Sequence, residues 1–204
     1  MPWRNRKNNR QRACREFEVA DVESRRDKIA HAGLEWFLVF LTFGCIGWLY
    51  EVGIMWFEIK EGFVNRGFLF GPCLPIYGIG GLLILLVTRR VKKHPLICFL
   101  VVCLLTTGAE LLTSYLLQWR LGYFLWDYRN TGYGPTFEGR IAVRSSLQFG
   151  LIGMAAIYVV HPLLKKIIQK IRGKFPGAYL IMACLLLAVF LVDLTFHLIC
   201  GSNA

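Results

Sequence analysis

The sequence predicts an all-α fold: a polytopic helical membrane protein with five transmembrane helices. Apolar residues make up 55% of the 204 residues and aromatic residues 14%. Five apolar stretches each approach the twenty or so residues that cross about 30 Å of hydrocarbon at about 1.5 Å per residue. Charged residues are concentrated at the chain ends and in the connecting loops between these stretches, called joints below. The lipid bilayer is therefore the first expected partner.

A basic cytoplasmic segment, residues 1–31, precedes a single transmembrane helical domain, residues 32–204. The predicted spans lie at about 34–57, 67–88, 95–118, 147–170 and 177–200. Lys and Arg residues concentrate before the first span and in the second and fourth joints. The second joint holds Arg89, Arg90, Lys92 and Lys93, and the fourth joint with the end of the span before it holds Lys165, Lys166, Lys170, Arg172 and Lys174. By the positive-inside rule the N-terminus is cytoplasmic and the C-terminus lies outside, in a cell inner (plasma) membrane.

The net charge of +11 does not indicate nucleic-acid binding, because the basic residues sort into particular joints and form no groove or helix stripe. The seven cysteines are scattered, mostly inside apolar runs, without zinc or redox spacing. We interpret them as small apolar residues. No metal, cofactor or nucleic-acid partner is predicted.

Three predicted spans carry an acidic residue: Glu51, Glu110 and Asp193. A carboxylate near the middle of a lipid-embedded helix costs roughly 2.5 to 3.5 kcal/mol, so such residues usually face a protein interior or a wet cavity. In the predicted orientation the first, third and fifth helices run outward, which puts all three intramembrane carboxylates in the outer half of the membrane. We infer one polar, outward-facing pocket at that level.

The first predicted helix places Gly44, Gly47 and Glu51 on one face, where the glycines allow another backbone to approach. Glu51 is either a binding or proton-accepting group, or the partner of an arginine that holds helices together. On the fourth helix, Ser146, Gly150 and Gly153 form a small-residue stripe that suits close helix contact.

The second predicted helix begins with Asn65 and Arg66 and holds several glycines and prolines before Tyr77. These residues favour kinked or partly unwound backbone, which at membrane depth lies in protein or lines a cavity. We expect this segment to form one wall of the pocket, with Tyr77 offering its hydroxyl. The alternative is a simple helix that starts at a proline.

Polar residues of the third predicted helix fall on one stripe, namely Thr106, Glu110, Thr113 and Ser114. The stripe is either a functional strip or a helix-packing seam, since Thr and Ser can return hydrogen bonds to their own helix. On the last helix Asp193 and His197 lie four residues apart and can touch, as a packing pair or as a proton relay.

The joint between the third and fourth helices contains Trp126, Asp127 and Tyr128, followed by Glu138-Gly139-Arg140. This pattern predicts an ordered cap with an interfacial aromatic belt, in which Asp127 would pair with Arg140 or Arg66. Direct contact of these residues with a ligand is the alternative.

Several motifs of enzymes are missing from the sequence. It has no phosphate-binding loop that ends in Lys-Ser or Lys-Thr, no dinucleotide fingerprint and no zinc-protease helix. It also lacks a serine nucleophile in a strained turn and a Cys with a nearby His. We therefore lean against an enzyme, and any ATP would have to be hydrolysed by another chain.

Several motifs, in order, resemble the bacterial CmpB-like ABC-transporter type IV permease family and, more distantly, the transmembrane protein 229 family. They are Phe43–Glu51, Phe63–Gly67, Gly71-Pro72, Pro75–Gly78, Glu110 with Thr113-Ser114, Trp126–Tyr128 and Gly139-Arg140. The resemblance covers about residues 40–155. It implies a polytopic transporter permease that works with a separate ATPase subunit, and a homodimer would supply ten helices.

The first hypothesis is a multi-pass permease whose pocket binds or passes a small polar or cationic solute. Its candidate residues are Glu51, Asn65, Arg66, Tyr77, Glu110, Thr113, Ser114, Trp126, Asp127, Tyr128 and Arg140. A second hypothesis is a membrane-embedded enzyme that acts on a lipid head group with Glu51 or Glu110 as general base. A third is a non-catalytic scaffold that assembles with other membrane proteins through its glycine faces.

Overall fold

The computed structural model describes residues 3–54, 56, 69–123, 126–129, 132 and 134–200, with side chains in the first helix from Arg25 onward. The chain divides into two units, residues 1–38 and 39–204. In the first unit the backbone is helical from Trp3, and residues 25–30 are exposed. The packing described below belongs to the second unit.

Six α-helices and one short hairpin form the described chain. The helices are α1 (Trp3–Ile54), α2 (Pro75–Thr88), α3 (Pro95–Leu121), α4 (Val143–Ala155), α5 (His161–Lys174) and α6 (Pro176–Cys200). A π-helical turn, Ala156–Val160, joins α4 to α5 without a break, so that Val143–Lys174 is one continuous rod. Strands β1 (Thr136–Phe137) and β2 (Ile141–Ala142) pair antiparallel. The predicted all-α class is confirmed.

Four helices of the described chain are long and apolar enough to cross a membrane: Arg25–Gly53, Pro95–Leu121, Val143–Lys174 and Pro176–Ile199. Within the predicted span over 67–88, residues 69–74 are not helical and α2 begins at Pro75, which agrees with the unwound backbone expected before Tyr77. Proline fixes φ and needs no donor in a first turn, so it starts a helix readily. The 14 residues of α2 measure about 21 Å at 1.5 Å per residue.

Glycines set the contact between α1 and α2. A Cβ added to Gly47 would lie 2.1 Å from Cγ of Tyr77, and one added to Gly78 would lie 2.6 Å from the ring of Phe40. The backbone N–H of Leu74 donates to the carbonyl of Gly44 at 3.1 Å. Only residues without a side chain allow this approach, as the sequence predicted for the Gly44–Gly47 face.

The helices α3 and α4 pack in the same way through the predicted small-residue stripe of α4. A Cβ on Gly150 would lie 2.4 Å from Sγ of Cys103, and one on Gly153 would lie 2.4 Å from the side chain of Val102. Beyond the stripe, Ile157 joins Val102 in a buried apolar cluster. This contact holds the second half of α4 against the first half of α3.

The π turn has a local cause. Pro162 lacks the N–H that would reach back to residue 158 in a regular helix. The N–H of His161 instead donates to the carbonyl of Ala156, five residues back. Past this turn, α5 packs against α6, and Ile168 and Tyr179 are buried.

The hairpin before α4 closes through a tight turn. The N–H of Arg140 donates to the carbonyl of Phe137 at 3.0 Å. The two central residues, Glu138 and Gly139, have φ values of 53° and 73°, the pattern of a type I′ turn. Gly139 suits this backbone because it has no Cβ to clash. The turn projects Arg140 back toward α3.

Candidate functional site

Glu110 joins three elements through one carboxylate. Its Oε1 accepts hydrogen bonds from the hydroxyl of Tyr128 at 2.8 Å and from the hydroxyl of Ser145 at 3.2 Å. Tyr128 belongs to the loop after α3, and Ser145 to the first turn of α4. Glu110 is half-buried and Ser145 is buried. A carboxylate with hydroxyl donors on one oxygen can accept a further proton or cation on its remaining lone pairs.

Arg140 fastens the hairpin to α3. Its side chain is buried, with 5% of the residue exposed. Nη1 donates to Oγ of Ser114 at 3.1 Å, Nη2 donates to Oε1 of Gln118, and Nε donates to Oε2 of Glu138 at 3.2 Å. The guanidinium also lies 3.9 Å from the ring centroid of Tyr115. The planar fork of arginine suits such a multiple contact, so Arg140 serves here as a clamp.

Two hydrogen bonds to backbone carbonyl oxygens complete the cap over α3. Trp126 donates through Nε1 to the carbonyl of Arg140 at 2.9 Å, and the N–H of Tyr128 donates to the carbonyl of Gly139 at 2.9 Å. The ordered cap predicted from the sequence is therefore present in the described part of the loop. It holds the Tyr128 hydroxyl at Glu110.

The predicted pairing of Asp127 with Arg140 is wrong. Asp127 instead pairs with Arg129 at 2.8 Å, and Arg140 pairs with Glu138 at 3.2 Å. The reason is local, because both the backbone N–H and Nε of Arg129 reach the same carboxylate two residues back. Hydrogen bonds from the Arg129 side chain lower the pKa of Asp127. A hydrogen bond from Tyr115, followed by one from Arg140, lowers the pKa of Glu138.

Glu51 and Tyr77 form a second carboxylate–tyrosine pair. The Tyr77 hydroxyl donates to Oε1 of Glu51 at 2.5 Å. The ring of Tyr50 lies between Tyr77 and Phe149, with centroid distances of 6.4 Å and 6.2 Å. The Glu51–Tyr77 hydrogen bond thus joins α1 to α2.

Asp193 is bound to the non-helical segment before α2. Its two carboxylate oxygens accept from the backbone N–H groups of Phe70, at 3.1 Å, and Gly71, at 2.8 Å. The ring of Phe70 also makes an edge contact with His197, with 6.2 Å between the ring centroids. The chemistry of Asp193 is therefore that of a backbone cap, which supports the irregular segment 69–74.

The predicted site residues fall into several groups. Glu110, Ser114, Trp126, Tyr128 and Arg140 lie in one hydrogen-bonded network around α3, and Glu51 and Tyr77 form a second hydrogen-bonded pair. Asp127 is exposed and paired locally, and Thr113 is half-buried. Asn65 and Arg66 lie outside the described residues.

The sequence did not predict three residues that contact Glu110 or Arg140, namely Ser145, Gln118 and Tyr115. Ser145 could have been predicted, because it lies in the first turn of the helix that follows the Arg140 hairpin and directly precedes the small-residue stripe. Gln118 continues the polar stripe of α3 one turn past Ser114. Tyr115 carried no signal in the sequence that separated it from a membrane-interface aromatic residue.

A groove of about 500 Å³ lies beside the start of α4. It is lined by Gly132, Gly134, Pro135, Val143, Arg144, Leu147, Gln148 and Leu151. No predicted pocket residue is among these lining residues. The groove is mostly apolar, and its chemistry differs from that of the Glu110 network.

The family comparison identifies the chain. Residues 38–198 match the family model described as "Putative ABC-transporter type IV", of the CmpB type. The chain belongs to this family. The match includes α2, α3, α4 and the cap, and therefore every described residue of the Glu110 network. No curated protein and no solved structure matches the chain. Membership of the CmpB family and the four long apolar helices make it a membrane protein of a transporter-like family.

Proposed function

We propose that the chain is a multi-pass permease of the inner membrane that binds or passes a small polar or cationic solute at Glu51 and Glu110. The observation that carries the proposal is that each of the two acids, on its own helix, accepts a hydrogen bond from a tyrosine hydroxyl. An acid in a membrane helix costs roughly 2.5 to 3.5 kcal/mol. A bound cation or proton would offset that cost.

The proposal includes five crossings, with the N-terminus in the cytoplasm and the C-terminus outside. The positive-inside distribution of Lys and Arg supports this orientation. The helix α2 is short for a full crossing, and the non-helical residues 69–74 would extend it. Such backbone is tolerated where protein covers it, and Leu69, Cys73 and Leu74 are buried.

Transport driven by ATP would need a second protein. The family is described as an ABC transporter, whereas the sequence has no phosphate-binding loop. We therefore propose a separate ATPase subunit as partner, and a homodimer as the arrangement that supplies ten helices. Co-purification of an ATPase from native membranes tests this part, and its consistent absence would leave transport without that energy source.

The scaffold hypothesis is less well supported, because the predicted glycine faces are occupied within the chain. Gly44, Gly47, Gly150 and Gly153 each contact another segment of the same molecule. These faces are therefore not available to other membrane proteins. The enzyme hypothesis would require Glu51 or Glu110 to act as a general base on a lipid head group, and loss of a lipid product on deletion would favour it.

A binding assay with defined cations tests the proposed site. Purified protein would be screened by thermal unfolding against sodium, potassium, ammonium, tetramethylammonium and choline. We expect one or more of them to raise the unfolding temperature of the wild type, and Glu110→Gln and Glu51→Gln to remove that shift.

Asp27→Asn is the matched control, because Asp27 is an exposed carboxylate outside the hydrogen-bonded network around Glu110. It should keep the cation-induced shift. The proposal fails if no cation stabilises the wild type, or if Glu110→Gln responds as the wild type does.

A further inference from the structure

The turn between α2 and α3 concentrates positive charge. Arg89, Arg90, Lys92 and Lys93 are all exposed, and the turn contains no acidic residue. None of the four side chains forms an ion pair with a residue that the structure describes. Four cations within five positions therefore present uncompensated charge at one end of the α2–α3 pair.

Backbone contacts fix this turn in place. The N–H groups of Val91 and Lys92 both donate to the carbonyl of Thr88, at 3.0 and 2.9 Å, and the N–H of His94 donates to Val91 at 2.9 Å. The hydroxyl of Tyr158, from the π turn, donates to the carbonyl of Lys92 at 2.6 Å. The cations therefore project from a preorganised loop, which lowers the entropic cost of binding an anion.

An apolar stripe starts where the cations end. Leu96, Leu100 and Leu104 follow one another at four-residue spacing on α3, so they share one face. Their exposed fractions are 81%, 60% and 74%. The stripe runs for about 12 Å along the helix at 1.5 Å per residue. It belongs to a helix that is apolar and long enough to cross a membrane.

We propose that the α2–α3 turn binds one anionic phospholipid, with its phosphate at the four cations and an acyl chain along the leucine stripe. The charges complement a lipid phosphate, and the stripe complements a chain that enters the membrane directly below it. A free phosphate or an acidic protein segment would satisfy the cations and leave the leucines without a partner. Each cation near an anionic lipid surface contributes about fivefold in affinity.

The test compares two lipids with identical acyl chains, phosphatidylglycerol and phosphatidylcholine. Protein is reconstituted into vesicles with equal amounts of both, extracted in mild detergent, and the retained lipid is counted by native mass spectrometry. We expect the wild type to retain more phosphatidylglycerol than phosphatidylcholine, and the ratio of the two retained lipids measures this preference. Lys92→Gln with Lys93→Gln should reduce that preference at least about fivefold, while Arg89 and Arg90 preserve the topological signal.

The matched control is Lys166→Gln with Lys170→Gln, which removes two exposed lysines on α5. These lysines lie about 12 to 18 Å farther along the helix from Tyr158, beyond the screening length at physiological salt. The control should lower the preference less than about twofold. Tyr158→Phe keeps every charge and frees the turn, and it should lower the preference without a change in topology.

Three results would overturn the proposal. The wild type could retain both lipids equally, or both double variants could lose the preference equally, which would indicate diffuse attraction. Inorganic phosphate could also displace the retained lipid at the low concentrations expected of a soluble ligand, which would leave the acyl chain without a role.

Discussion

The hydroxyl of Tyr128 donates a 2.8 Å hydrogen bond to Glu110, across 18 positions of the chain. The bond closes the loop after α3 back onto the middle of that helix. Because Ser145 donates to the same carboxylate oxygen, the start of α4 is fixed to the same point. One carboxylate thus determines where the cap, α3 and α4 meet.

Tyr128→Phe should lower the free energy of unfolding by about 1 to 2 kcal/mol, because it removes a hydrogen bond and leaves a half-buried carboxyl group with one donor fewer. Denaturant unfolding in detergent micelles measures this difference. Tyr123→Phe is the matched control, since Tyr123 belongs to the same loop and is 59% exposed. Equal stability of the two variants would contradict a role for Tyr128 in holding the cap.

Gly47→Ala should destabilise the protein by about 1 to 3 kcal/mol through overpacking, because its Cβ would lie 2.1 Å from Cγ of Tyr77. The ring of Tyr77 would have to move, and its bond to Glu51 would break. Gly80→Ala has open space around it and should be neutral or stabilising by about 1 kcal/mol or less. Unfolding curves of the two variants, measured side by side, decide between these outcomes.

Arg140→Gln should cost about 2 to 4 kcal/mol, because Ser114 and Gln118 lose a charged donor in a buried position. Limited proteolysis should then cleave within residues 122–142 faster than in the wild type. Arg129→Gln removes an exposed ion pair with Asp127 and should leave the cleavage rate unchanged. Equal cleavage of both variants would show that the buried clamp is dispensable.

The cap should loosen in acid. Hydrogen bonds from Tyr115 and then from Arg140 lower the pKa of Glu138 in the folded protein. A lowered folded pKa contributes stability above the unfolded value, and that stability is lost as the pH falls through the folded pKa. Protection factors of the cap amides, which correct for the intrinsic pH dependence of exchange, should therefore be constant at neutral pH and fall below about pH 4. A fall already at neutral pH would point to other groups.

Asp193→Asn should release the segment before α2, because an amide offers one acceptor oxygen to the two N–H groups of Phe70 and Gly71. Maleimide labelling of Cys73, which is 5% exposed, should become about tenfold faster if opening is eased by about 1.4 kcal/mol. Thr195→Ala is the control, since the Thr195 hydroxyl bonds to its own helix. It should leave the labelling rate of Cys73 unchanged.

The helices themselves were predictable because their signals are local. The run of apolar residues after Pro95 predicted α3, which the structure extends only to Leu121. The glycine faces of α1 and α4 were also predictable, since three- and four-residue spacing fixes a helical face before any partner is known.

Partners from distant segments were not predictable in the same way. The glycines and prolines before Tyr77 predicted irregular backbone, but they did not predict its partner Asp193, which binds the backbone of Phe70 from 123 positions away. The partners of Arg140 depend on the register between α3 and the hairpin. That register is set by packing, and the sequence alone left Asp127 as an equally reasonable partner.

The π turn before His161 determines which residues of the rod face each neighbouring helix. A wider turn holds one more residue than a regular one, and a single extra residue rotates everything after it by about 100°. The rod from Val143 to Lys174 can therefore present its glycines to α3 in one half and Ile168 to a different neighbour in the other. Deleting one residue there would restore uniform winding, swing Ile168 out of its buried position and detach the second half of the rod from α6.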